Sequence, residues 1–563
     1  MQQMQRNRFV LLAALIAVIA ILAVPGTAGA LSAEAKVSVA GPPSPYLPDA
    51  VNEPALAIDA NNPQVLAAGA NDLVDSAPCN GSNCDLTPNI GISGVYLSLD
   101  GGSSWTQPTY TGLTAQNGTT HVGPIHTLPN YVEHGMSSHG DPAVAFGPKP
   151  GPSGFSWANG SRLYYANLAF PIPGQAPFTG ASAAVVSRTD DVAAAAAGQQ
   201  SAWMDPVIVT RQNSALTSDK EDIWADNAAS SHFFGNVYVC NTAFRSAGGP
   251  PEPIVLSASS DGGSTWRQRQ LTSAVSNAQS GGRQGCAVRT DATGVVYVVW
   301  EGTANGQSAF YLARSVDGGS NFEKPFPIAM VSDVGVPDPV SGRIVFDGLA
   351  GTRTDSFPSL SIASGAPTGT GATNTLVLTW TDARAGLNHE QALVQTSTDH
   401  GATWSSPVNA AEAGDRPDNP AVAISPSGSD AYLVYNGYLQ PFQTTTANPR
   451  NMQGVVRHAD VGAGGTLGAW STLHRGAVGD ARGTTRTLNR EAVYDYNFAA
   501  ATQTYGAAVW MDVRNAASCD AVNAYRQSLI DGTPITPPAP LTDCPAQFGN
   551  NDIFGGTYAD PTP

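Results

Sequence analysis

Basic residues are scarce in this chain: 27 lysines and arginines stand against 44 aspartates and glutamates, for a formal net charge of −17. Neither an overall basic balance nor a long basic run is present. That argues against nucleic acid or an anionic membrane surface as the main partner, while leaving room for a local basic site. Sustained 3.6-residue apolar periodicity is also missing, which excludes a helical bundle. Beyond residue 24 no segment is apolar enough to cross a membrane. Gly-Lys-Ser and Gly-Lys-Thr are absent and no Gly-x-Ser-x-Gly lies between a strand and a helix, so phosphate-loop and Ser-His-Asp chemistry find no support. No arginine occurs between Arg8 and Arg162.

What the chain does have is turns, with 59 glycines and 42 prolines. One short motif, ideally Ser-x-Asp-x-Gly-x-Thr-Trp, occurs four times, centred on Asp100, Asp261, Asp317 and Asp399. Each copy follows an alternating run such as Val95-Tyr96-Leu97-Ser98 and precedes a second extended stretch, so each reads as a hairpin turn. The aspartate can accept hydrogen bonds from its own turn, the glycines supply positive φ, and the aromatic residue packs beneath. No ligand cluster surrounds these aspartates, so a structural role is expected rather than a calcium or catalytic one.

A second pattern, a polar start, proline, then alternating apolar residues, recurs at Asn52-Glu53-Pro54, Gly140-Asp141-Pro142, Asp355-Ser356-Phe357-Pro358 and Asp418-Asn419-Pro420, with looser versions near residues 221, 284 and 490. An apolar strand follows each. Seven units of four antiparallel strands result, the pattern of an all-β propeller, with seven blades favoured over six. Turns in units two, six and seven are degraded around Asp190, Asp460 and Asp531. Residues 36–40 are a candidate extra strand closing the ring.

The N-terminus carries Arg6 and Arg8, an apolar run from Phe9 to Val24, and Pro25-Gly26-Thr27-Ala28-Gly29-Ala30. This is the form of a secretory signal cleaved after Ala30, and places the mature protein outside the cell or at its surface. The chain is thus divided into a signal (1–30), an extension (31–51), the propeller (52–545) and a tail (546–563). Six cysteines in an exported chain imply disulfides. Proximity favours Cys79 with Cys84, Cys519 with Cys544 and Cys240 with Cys286 among the fifteen pairings.

The four turns, the Asn-Glu-Pro and Gly-Asp-Pro starts and Gly235-Asn236-Val237-Tyr238-Val239 resemble secreted bacterial members of the Asp-box, sialidase-like propeller superfamily over roughly residues 50 to 515. The resemblance implies the fold; its members range from sialidases and endoglucanases to sorting receptors and assembly factors. Sialidases bind a sugar carboxylate with three arginines and use a Glu-activated Tyr nucleophile and an Asp acid/base. The first of those arginines, which precedes the first Asp-box, has no counterpart here, and a guanidinium fork is hard to replace.

The innermost strand of a propeller blade starts near the axis, so the residues just before it surround a common mouth. In order these are Glu53, Asp141, Glu221 with Asp222, Arg283, Arg353 with Asp355, Arg416 with Asp418, and Arg486 and Arg490 with Glu491: acids lead the first three units, and each of the last four presents an arginine. Such a mouth can hold an anionic sugar on the basic side and supply acid/base carboxylates opposite. Glu53, Asp141, Glu221, Asp222 and Tyr494, with its neighbour Tyr496, are the catalytic candidates. Arg283, Arg353, Arg416 and Arg490 are the substrate-binding ones. Each can equally form interblade salt bridges. His139 is a further loop candidate. No cofactor or metal is expected. The function expected is recognition, and hydrolysis, of a glycan; the rival is a noncatalytic extracellular scaffold.

Overall fold

Stretches such as Val296–Ala304 place apolar residues at consecutive positions, which suits a strand covered on both faces. Such stretches form the second strands of seven small antiparallel sheets, among them Leu66–Asp72, Leu376–Asp382, Asp430–Tyr438 and Tyr505–Asp512, each buried along its whole length. The computed structural model describes residues 32–562, apart from 44, 83, 85, 211–212, 246–250, 278, 349–353, 486, 490–492 and 494. The sheets form the blades of a seven-bladed β-propeller, which removes the six-bladed alternative. The expected signal segment 1–30 lies outside the described residues.

The first strands of blades 1 to 7 are Val51–Ile58, Ala143–Gly151, Leu216–Ala225, Gln284–Thr290, Ser359–Ile362, Arg416–Ile424 and Phe498–Ala501. Each packs against the next and the seventh against the first, so together they wall the central channel. Between blades the core is aromatic and aliphatic, with Trp300, Trp380 and Trp510 almost fully buried. Two of these begin a local knot: the indole N–H of Trp380 donates to Asp382, which also binds Arg384, and Trp510, Asp512 and Arg514 repeat the arrangement.

Closure of the ring departs from the segment boundaries read from sequence. Asp552–Ala559, assigned to a tail, is the third strand of blade 7, and Ala35–Lys36, in the assigned extension, pairs with it as the fourth. Two helices, Asp520–Ile530 and Pro540–Asp543, are inserted before that strand and hide it from a repeat-based reading. Asp531 consequently caps the C-terminus of a helix instead of marking a blade hairpin. Blade 1 has three strands, with a single bridge from Leu97 to Thr106 in place of the fourth.

All three disulfides join the pairs favoured by proximity: Cys79–Cys84, Cys240–Cys286 and Cys519–Cys544. The second links blade 3 to blade 4. The four hairpin turns share one hydrogen-bond set. In the second, Asp261 Oδ1 accepts from Thr265 N at 2.9 Å and Oδ2 from Thr265 Oγ1 at 2.6 Å, while Ser259 Oγ accepts from Gly263 N at 2.9 Å. Among the described residues, no helix is long and apolar enough to cross a membrane.

Candidate functional site

Where the first strands reach the channel mouth, the backbone leaves regular strand geometry. Glu53, Asp141, Lys220 and Asn419 hold φ of +54°, +50°, +59° and +50°, and Gly285 holds the same place in blade 4 at +62°. The strand ladders of blades 1, 3, 4 and 6 skip register there, as a β-bulge does. Proline follows at Pro54, Pro142 and Pro420, so no N–H is left unpaired by the bulge. A left-handed non-glycine residue costs about 1–3 kcal/mol. Repeating that strain in four blades around one axis aims four side-chain-bearing positions at the mouth.

Residues from all seven blades line the resulting pocket of about 90 Å³, including Pro54, Pro142, Glu221, Asp355, Asn419 and Asp495. Asn71 ties blades 1 and 2 together: its Nδ2 donates to Glu53 Oε2 at 2.5 Å, and its Oδ1 accepts from Asp141 N at 2.7 Å. Burial, and then the nearby Glu53 and Asp219 carboxylates, hold the Asp141 carboxyl well above the usual range. Burial, reinforced by Asp219, does the same to Glu221, whose two carboxyl oxygens are buried and, among the described residues, have no partner from another residue. In both, burial disfavours the ionised form. The Tyr496 hydroxyl is buried with no partner among the described residues, and burial, then Asp141 and Asp495, raise its pKa, so it is a neutral phenol. Asp418 is pushed up to about 8 by burial, against a 2.7 Å hydrogen bond from Thr354 Oγ1.

Two cations complete the arrangement. The Lys220 ammonium binds Asp495 and lies 5.3 and 5.2 Å from the ring centroids of Phe357 and Tyr496. Arg289 lies in the channel beneath, 2.5 Å from Asp222 Oδ2, with its guanidinium 4.9 Å from the Trp224 ring centroid and 5.9 Å from that of Phe498. It lines both the mouth and a larger cavity of about 340 Å³ below.

The acidic half of the sequence-derived site is thus brought together: Glu53 and Asp141 through Asn71, and Glu221 and Asp222 in the pocket lining. Of the basic half, the two described arginines are placed differently. Arg416 makes two 2.9 Å contacts with Glu390, donates to the Phe346 and Gln440 carbonyls, and lies over the Phe346 ring. Arg283 donates to Ser280 Oγ and is set apart from the pocket lining. Arg353, Arg486, Arg490, Glu491 and Tyr494 lie outside the described residues. His139 stacks on Phe170 at 3.5 Å. Sequence reasoning missed Lys220 and Arg289. The signal for Arg289 was a lone cation in the apolar run Cys286-Ala287-Val288-Arg289; for Lys220 it was its place one residue before an acid already singled out.

Fold and site together define a seven-bladed β-propeller with a carboxylate-rich central mouth. Similar solved structures include the Hadza microbial sialidase Hz136, at 14% identity and a TM-score of 0.39 over 69% of this chain and 63% of that one. A Trypanosoma rangeli sialidase in complex with the inhibitor DANA gives 10% and 0.38 over 73% and 58%. The intramolecular trans-sialidase from Ruminococcus gnavus in complex with oseltamivir carboxylate gives 10% and 0.40 over 73% and 94%. The chain spans less than two thirds of the length of the first two. No family model and no curated protein matches the chain. Likeness at these values carries no argument about activity.

Proposed function

We propose that the protein is an extracellular glycan-binding propeller whose mouth cleaves a glycosidic bond by acid–base catalysis. The Asp141–Asn71–Glu53 assembly carries this reading: an acid whose carboxyl burial pushes well above its usual range, beside a second carboxyl group, on two backbone positions of left-handed conformation. Environments that separate the protonation states of neighbouring acids are what glycoside hydrolysis requires. In this scheme Asp141 gives its proton to the leaving glycosidic oxygen, and Glu53 acts as the base that activates water. Glu221 donates a hydrogen bond to the bound sugar, and Phe357 with Tyr496 offers it an aromatic face.

The test is a screen of the purified protein against sialosides, uronosides and neutral glycosides, repeated with Asp141→Asn. Turnover by the parent and its loss in the variant support the reading. Glycan binding without turnover reduces it to recognition. The noncatalytic scaffold is favoured by one observation, the mouth's volume of about 90 Å³, which is below the roughly 300–1,000 Å³ of ordinary small-molecule sites; neither binding nor turnover would leave that second reading standing.

A further inference from the structure

At the rim where blade 6 meets blade 7, Asp430, His458, Asp460 and Asp560 converge, one donor atom from each lying within 4.8 Å of the others. Asp430 starts the second strand of blade 6 and sits opposite Asp460 in the third, with His458 two residues earlier on that strand. Asp560 comes from blade 7, directly after Asp552–Ala559. His458 Nε2 is 3.1 Å from Asp430 Oδ1 and 3.9 Å from Asp560 Oδ1.

Two features separate this group from an ordinary patch of acids. The His458 side chain is only 3% exposed, its Nε2 is aimed at the carboxylates, and among the described residues the imidazole has no polar partner outside the group. None of the three aspartates pairs with lysine or arginine among the described residues, so three carboxylates share one neutralising candidate. The hairpin here also lacks the Ser-x-Asp-x-Gly sequence, and Asp460 is not consumed by its own turn as Asp261 is; its carboxylate accepts instead from Thr562 of the C-terminal segment.

We propose that Asp430, His458, Asp460 and Asp560 bind a divalent transition-metal ion, zinc in preference to calcium, and that the ion fastens blade 6 to the end of the ring-closing strand. One imidazole and three carboxylates form a four-donor set suited to zinc, whose bonds to nitrogen and oxygen are about 2.0–2.2 Å. The observed separations of 3.1 and 3.9 Å bracket the roughly 3.4 Å between tetrahedral ligands at that bond length. Calcium prefers six to eight oxygens and gains little from a nitrogen donor.

The experiment is calorimetric titration of the full chain, stripped with a chelator, against zinc chloride and separately calcium chloride, with thermal melts alongside. One zinc per chain and a raised Tm are expected, with affinity at least about tenfold lower in Asp460→Asn and in Asp560→Asn. These accessible positions avoid the folding risk of replacing His458. Cobalt(II) bound in place of zinc should give visible absorption that changes in His458→Gln. Zinc binding unchanged by either aspartate substitution overturns the proposal. So does the absence of zinc binding to the full chain.

Discussion

Asp261 and Asp141 each sit at a bend of a strand, one at the outer rim and one at the axis, and their surroundings act on them in opposite directions. In the outer turns the aspartate is saturated by its own loop. Hydrogen bonds from the Thr403 hydroxyl and N–H hold Asp399 down to about 2. For Asp261 burial is the largest single influence and acts upward, but the hydrogen bonds from Thr265, Ser259 and Ser264 together outweigh it and lower the carboxyl. At the mouth, burial raises Asp141 and Glu221, neighbouring acids reinforce it, and the Glu221 oxygens find no partner among the described residues. A propeller builds its hairpins for stability and leaves its axis underfilled. The cost appears as left-handed backbone and acids raised above their usual range at the place where a ligand can supply the missing contacts.

Isosteric change at the mouth should give the largest effect. Asp141→Asn and Glu221→Gln put a neutral amide of the same shape where burial already opposes ionisation of the acid, so Tm should move little. Loss of the proton donor in Asp141→Asn should reduce glycoside turnover by about 10²–10⁴. Comparable turnover in both parent and Asp141→Asn would break the contrast between axis and rim. Next is Arg289→Ala, which takes the cation from the buried Asp222 carboxylate and leaves it the Val288 N–H; chemical denaturation should report a loss of about 3 kcal/mol.

A third effect is pH dependence. Asp418 keeps its proton up to about pH 8 in the folded chain, whereas in the unfolded chain it ionises near pH 4. Between those values the folded state binds more protons, so this group makes stability fall as pH rises, by about 1.4 kcal/mol per pH unit. The loss levels off above pH 8. Asp418→Asn should flatten that slope in denaturation measured from pH 5 to 8. The outer aspartates have the reverse sign: their contribution is present above pH 4 and is lost as pH falls towards 2. The smallest effect is expected from Asp261→Ala, about 1 kcal/mol by thermal melting, with no change in turnover.

The blade count and the acidic start of each early blade were legible because both depend on local pattern. Period-two alternation and turn chemistry are written in a few adjacent residues, and Glu53 and Asp141 could be placed by their distance from a strand. Contacts between distant segments were not legible. Arg416 looked like a ligand-facing cation because its partner Glu390 lies in the preceding blade, 26 residues away. Asp552–Ala559 looked like a tail because two helices and a disulfide separate it from its neighbour in the sheet. Lys220 was passed over because its two aromatic contacts come from blades 5 and 7.

Pairing Ala35 with Gly555 brings the two chain ends to one blade edge. The last interface of the ring therefore spans nearly the whole polypeptide, with a correspondingly large loop-closure entropy to overcome before it forms. A chain emerging from its N-terminus can assemble blades in order, yet its first strand waits for the final residues. Circular permutation, with a short linker joining residue 562 to residue 32 and a cut in an outer hairpin, would turn that late contact into a local one and should speed folding without altering the mouth.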